Sequence, residues 1–171
     1  MTISMSMLLI LSLLMAVAYI AAVIIKDKNL PDSISALVYA LPSKWQWVWT
    51  LWLWVVSLLM CIPLIDVLPE ACKFLGFFTL VCLGFVGAMP IIYKEHKKAH
   101  DILGVSAGIL SQVCVFILSP WWLLIWFLWP FLMGSTVFQP EGGDMRELFK
   151  GKGVFVAEVI CMITLAGAMM F

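Results

Sequence analysis

Residues 5–25 run without one charged side chain. Wound as a helix at about 1.5 Å per residue, the run reaches roughly 31 Å, close to the thickness of a bilayer's hydrocarbon core. In hydrocarbon a backbone must satisfy its own N–H and C=O groups, and a helix does so within one segment. The pattern recurs at residues 47–65, 71–92, 102–118, 121–135 and 154–171. The chain is 64% hydrophobic and 12% charged, where soluble domains carry about a quarter charged residues. The sequence therefore predicts an all-α integral membrane protein, a six-span helical bundle forming one domain over residues 1–171. Spans four and five are short and joined only by Ser119 and Pro120. They form either a tight hairpin of two thin spans or a re-entrant pair. The first run lacks a basic segment before it and exceeds the ~7–15 apolar residues of a signal peptide. It reads as a span, not as a cleaved leader.

The cations sort on this count of spans. Lys26, Lys28 and Lys44 lie between spans one and two, Lys94, Lys97 and Lys98 between three and four, and Arg146, Lys150 and Lys152 between five and six. Lys73 lies alone on the other side. Nine of the ten lysines and arginines thus share one side, in short loops where the positive-inside rule is strongest. That side is expected in the cytoplasm, with both termini outside. The small size and strong bias point to a prokaryotic inner (plasma) membrane. A formal net charge of zero gives no reason to expect nucleic acid. The expected partners are the lipid bilayer and a membrane-protein partner or a second copy in a homo-oligomer.

The loops carry local signals. Pro31, Asp32 and Ser33 precede Ile34, Leu37, Val38 and Leu41, and Pro42 follows. This reads as a capped apolar turn or two lying in the interface. Asp144 and Glu147 stand at capping-box spacing ahead of Leu148 and Phe149, which predicts a second interfacial helix bearing Arg146 and Lys150. Trp45, Trp47 and Trp49, like Trp121 and Trp122, fall at span ends, where indoles favour the headgroup level. Trp52, Trp54, Trp126 and Trp129 lie deeper, and packing or lipid contact is expected ahead of a cavity lining. Five cysteines are scattered without a C-x-x-C pair. Cys61 and Cys72 both lie near the outer face, so a disulfide between them is conceivable.

Few polar groups interrupt the spans. Glu158 sits inside span six, and an ionisable group there faces the bundle interior or water by default. His96 and His100 share a helix face at i, i+4, beside Asp101, which is placed to cap span four. Together with Glu158 they form a candidate polar cluster, and His96 with His100 is a weak candidate for metal. Gly104, Gly108, Ser111 and Gln112 form one stripe on span four, and Gly84 and Gly87 a small-residue surface on span three. Such surfaces let helices approach closely. Spans three, four and six are therefore expected at the tight centre, with Gln112 at the midplane. Pro90 and Pro130 are candidate kinks.

No phosphate-binding loop, nucleophile elbow, H-E-x-x-H or selectivity-filter motif is present. The first reading is a non-enzymatic accessory protein, or a protein binding a small or lipidic ligand and needing no cofactor. Its pocket opens to the cytoplasm, is floored by Gln112 and Ser111, and has Glu158 and His100 at its mouth. The alternative is a proton-coupled transporter or ion-conducting protein exchanging protons between Glu158 and His100. A third is a membrane-embedded, metal-dependent enzyme acting on lipids.

Overall fold

Every long apolar run forms a helix, and no strand occurs among the described residues. The computed structural model describes residues 2–28, 30–92, 97–137 and 152–171. His96, Lys94 and the expected second interfacial helix with Asp144, Arg146, Glu147 and Lys150 lie outside those residues. Helix α1 spans Ile3–Asp27, α2 Gln46–Val67, α3 Lys73–Ile92, α4 Lys97–Leu118, α5 Leu128–Val137 and α6 Lys152–Met170. Among the described residues, five helices (α1, α2 with its leading turn, α3, α4 and α6) are long and apolar enough to cross a membrane. The apolar helix over Pro120–Leu132 is shorter.

Local chemistry sets the helix ends. Thr2 caps α1, its hydroxyl accepting from the Met5 N–H at 3.4 Å. Lys28 ends α1 in the left-handed region at φ 53°, a conformation that usually falls to glycine or asparagine. Helix α4 begins well before residue 102, so His100 and Asp101 lie within its first two turns and Asp101 is not the expected cap. Eight residues, Pro120–Phe127, form a 3₁₀ helix that runs straight into α5. Pro130 is the third residue of α5, just after the change from 3₁₀ to α winding. Pro63 lies within α2, fully buried near the end of the helix.

Neighbours in sequence pack as neighbours in space: α1 on α2, α2 on α3, α3 on α4. Helix α4 then has α6 and the Pro120–Phe127 segment against another side. Two apolar cores result. In one, Leu9 of α1, Leu64 of α2, Val115 of α4 and Leu165 of α6 meet. The other holds Val23, Trp49, Leu53 and Val86 together with Leu37 and Val38 from the loop between α1 and α2.

That loop departs most from expectation. Its apolar side chains turn into the protein: the 3₁₀ helix Ser35–Ala40 is inserted among α1, α2 and α3, with Leu37 and Val38 at most 1% exposed. Burying two such side chains contributes about 2 kcal/mol each relative to water. Buried irregular backbone needs partners, and side chains supply them. Tyr19 Oη donates to the Leu37 carbonyl at 3.2 Å, Lys26 Nζ donates to the Ala40 carbonyl at 2.9 Å, and the Ile34 N–H donates to Glu158 Oε2.

Helix α2 ties its neighbours by donating to their carbonyls: Trp52 Nε1 to Met15 at 3.3 Å, Thr50 Oγ1 to Gly87 at 2.8 Å and Trp54 Nε1 to Gly84 at 2.9 Å. Ser12 Oγ of α1 returns the pattern to the Val56 carbonyl at 2.9 Å. Gly84 and Gly87 therefore serve contact with α2. A Cβ at Gly87 would stand 3.0 Å from Leu53 Cδ2. The tryptophans divide differently from the belt expected. Trp45 and Trp47 are exposed, whereas Trp49 is fully buried, with Nε1 lacking a partner among the described residues. Trp121 is exposed, but Trp122 packs on Gly167 of α6. All five cysteines are free thiols, including Cys61 and Cys72.

Candidate ligand-binding groove

Among the described residues, no helix covers one face of α4. His100, Gly104, Gly108, Gln112 and Phe116 recur every fourth residue along it, the spacing of one helix face. Asp101, Val105, Ile109 and Val113 run alongside. With Leu123, Trp126 and Trp129 on one wall and Val154, Ala157, Glu158 and Cys161 of α6 on the other, they enclose a cavity of about 1010 Å³. From His100 to Phe116 this face measures about 24 Å at 1.5 Å per residue. Val105, Ile109 and Phe116 are exposed, so the cavity is a groove open along its side.

Small residues make the space. A Cβ at Gly104 would meet nothing within 4 Å, and one at Gly108 would meet only Cys161 Sγ at 3.8 Å. Gly104 therefore lines the groove and does not serve the close helix contact expected of it. On α6, Ala157 and Cys161 do the same at i, i+4.

The polar groups separate into two levels. At the end bearing the N-termini of α4 and α6 are His100, Asp101, Glu158 and, from the inserted loop, Asp32, Ser33 and Ser35. Glu158 lies about 9 Å along α6 from Lys152, and its Oε2 accepts the Ile34 N–H. Ser33 Oγ accepts the Ala36 N–H at 3.1 Å and lies 2.9 Å from Ser35 Oγ. The loop turn is thereby held against the groove end. His100 Nδ1 lies 3.4 Å from Asp101 Oδ1. His100 and Glu158 line one cavity, yet each is engaged elsewhere: His100 with Asp101, Glu158 with the loop.

The second level is Gln112. Its Oε1 accepts from Trp126 Nε1 at 2.8 Å and lies 3.1 Å from Thr164 Oγ1. An indole N–H can only donate, which fixes which end of the amide faces Trp126. The amide nitrogen donates to Ser111 Oγ at 3.2 Å, and Ser111 donates to the Gly108 carbonyl at 2.7 Å. Ser111 is buried behind this network and does not line the groove. Gln112 is not at the helix midpoint. It stands about 9 Å from the Leu118 end of α4 and about 22 Å from Lys97. One wall is closed by Trp129 Nε1, which donates to the Gly153 carbonyl at 3.1 Å.

Sequence reasoning named Glu158, His100, Asp101, Gln112, Gly104 and Gly108, and all six line this groove. It missed Asp32, Ser33 and Ser35, because nothing local signals that a loop will fold inward. It also missed Ala157 and Cys161, whose small-residue spacing echoes that of α4. No group of three or more potential metal ligands occurs among the described residues. No family model, no curated protein and no solved structure matches the chain.

Proposed function

We propose that this chain is a small multi-pass membrane protein that binds a lipidic ligand in the groove along α4 and performs no chemistry on it. The observation that carries this reading is the groove itself. It has about 1010 Å³, the upper range of small-molecule sites. Its walls are mainly apolar, its side is open where acyl chains would lie, and its charged side chains line the end opposite Gln112. A bilayer amphiphile would slide in along that open apolar flank.

The proposed topology has six crossings, with both termini outside and the plasma membrane as location. The distribution of lysines supports it. So does the geometry of the thin segment. Eight 3₁₀ residues at about 2.0 Å and ten α residues at about 1.5 Å give roughly 31 Å. An α-helix of the same eighteen residues would reach only about 27 Å.

Two experiments test this. Native mass spectrometry of the purified protein should show a retained lipid. Gly104→Phe, whose ring would occupy the open space in front of Gly104, should remove it without unfolding the bundle. Equal lipid occupancy in the variant overturns the reading. For topology, a membrane-impermeant thiol reagent on intact cells should reach single cysteines placed at Thr2 and at Phe171 in a cysteine-free background. Labelling of only one of the two would remove the even number of crossings.

A further inference from the structure

The groove is not built by helices alone. Asp32, Ser33 and Ser35 belong to the loop between α1 and α2, and they line the same cavity as α4 and α6. Just beyond them, Leu37 and Val38 turn into the core formed with Val23, Trp49, Leu53 and Val86. One short segment thus has an edge on the groove and an edge in the core, and the two move together. Its own secondary structure does little to hold it. The 3₁₀ helix Ser35–Ala40 has six residues, and so short a run with 3₁₀ bond geometry is weak by itself. What seats it comes from elsewhere: the two buried side chains, the Tyr19 and Lys26 donors of α1, and the Glu158 acceptor of α6. Glu158 also lines the groove, so one side chain serves both the wall of the site and the anchor of the loop.

We infer that this loop is a strap coupled to the groove: the groove takes its lipid only with the loop seated, and lipid in the groove holds the loop down. Unseating withdraws Asp32, Ser33 and Ser35 from the groove and takes the Ile34 donor from Glu158. A ligand that touches the seated strap loses those contacts when the strap lifts, and that difference in affinity is what couples the two. Leu37 and Tyr19 then act as positioning residues. Both lie away from the groove lining, yet they set the fraction of protein competent to bind, and apparent affinity falls in proportion to that fraction. This inference rests on the groove being a lipid site, and the test keeps the two apart.

The protein is reconstituted in phosphatidylcholine nanodiscs with a terminal-diazirine analogue of hexadecanol as the probe. Mass spectrometry reads both the labelled residues and amide hydrogen exchange. In the unaltered protein, Val105 and Ile109 should be labelled well above Phe77 and Phe78, which are exposed on α3. At about ten times the half-saturating mole fraction, the probe should slow exchange along Ser35–Ala40 about tenfold, because only the seated state binds it. Exchange at the far turn, Glu70–Cys72, should not change. Leu37→Asp places a charge at a position 1% exposed and should unseat the strap. Half-saturation of Val105 and Ile109 labelling should then rise at least about tenfold, while Leu37→Met, which keeps the volume, should bind as the unaltered protein does. Unchanged exchange in the middle of α4 shows that the Asp variant is folded. If it is not, the protection measurement on the unaltered protein decides alone. Exchange along Ser35–Ala40 that ignores the probe overturns the strap and leaves the groove as a lipid site. So does a folded Leu37→Asp protein whose loop exchanges fast and whose half-saturation is unchanged. Labelling of Val105 and Ile109 no stronger than that of Phe77 and Phe78 overturns both.

Discussion

Replacing Gln112 by leucine tests how the groove's deeper level is held. Two donors approach its Oε1, but they do not depend on it equally. Thr164 Oγ1 is 3.1 Å from Oε1 and 2.8 Å from the Ile160 carbonyl in its own helix. A hydroxyl has one hydrogen, so Thr164 keeps a partner when Gln112 is lost. Trp126 Nε1 has Oε1 at 2.8 Å, and no water reaches it once a membrane or ligand covers the groove. The cost of Gln112→Leu therefore falls on the indole. Hydrogen bonds between membrane helices average about 0.6 kcal/mol and reach about 1.7. A short indole-to-amide contact belongs toward the upper part, about 1–1.5 kcal/mol. In a double-mutant cycle, Gln112→Leu with Trp126→Phe should show a coupling of about 1 kcal/mol, because removing both partners leaves nothing unsatisfied. Gln112→Leu with Thr164→Val should show coupling near zero. Reversible unfolding in mixed detergent micelles measures both cycles. A Thr164 coupling as large as the Trp126 coupling would refute the assignment of the bonds.

Three further outcomes follow from the packing. Gly167→Ala places its Cβ 2.5 Å from three atoms of the rigid Trp122 indole. It should cost about 1–3 kcal/mol in the same unfolding assay, and Trp122→Leu should recover part of that. Gly104→Ala meets nothing within 4 Å and should be neutral or stabilising by up to about 1 kcal/mol through helix propensity; Gly87→Ala, tight against Leu53, should show no such gain. Glu158→Ala removes the acceptor of the Ile34 N–H, so hydrogen exchange at Ile34 and along Ser35–Ala40 should accelerate at least about tenfold, while exchange in the middle of α2 should not change.

Helix content and the helix-borne polar residues of the groove were legible in the sequence because both depend on local pattern. An uninterrupted apolar run dictates a helix whatever its neighbours do. A glutamate or glutamine within such a run must face protein or water, so Glu158 and Gln112 declared themselves. What the small residues of α4 face was not legible. A glycine stripe serves equally to admit a helix or to leave a space, and the sequence does not say that α4 presents it to a groove while Gly84 and Gly87 receive α2. The loop after α1 was read as interfacial because Ile34, Leu37 and Val38 form an apolar surface. Their actual destination depends on Tyr19, Lys26 and Glu158 being in place to satisfy the buried backbone, a long-range condition. Trp49 misled for a related reason. Indoles near helix ends favour headgroups, but this one packs tilted against Tyr19 and Trp52 at centroid distances of 5.7 and 4.9 Å inside the core that the loop completes.

The hydrogen bond from Ile34 to Glu158 joins residues 124 positions apart, and it sets a clock on biogenesis. At about 5–20 residues per second of synthesis, the first loop waits some 6–25 s before its anchoring carboxylate is even made. Throughout that interval the early helices stand with one flank unsealed and the Ile34 amide without its acceptor. The last helix is thus the keystone. A ribosome that stalls before residue 158 releases a protein whose opening segment has never been locked, and membrane quality-control proteases would meet it in that state.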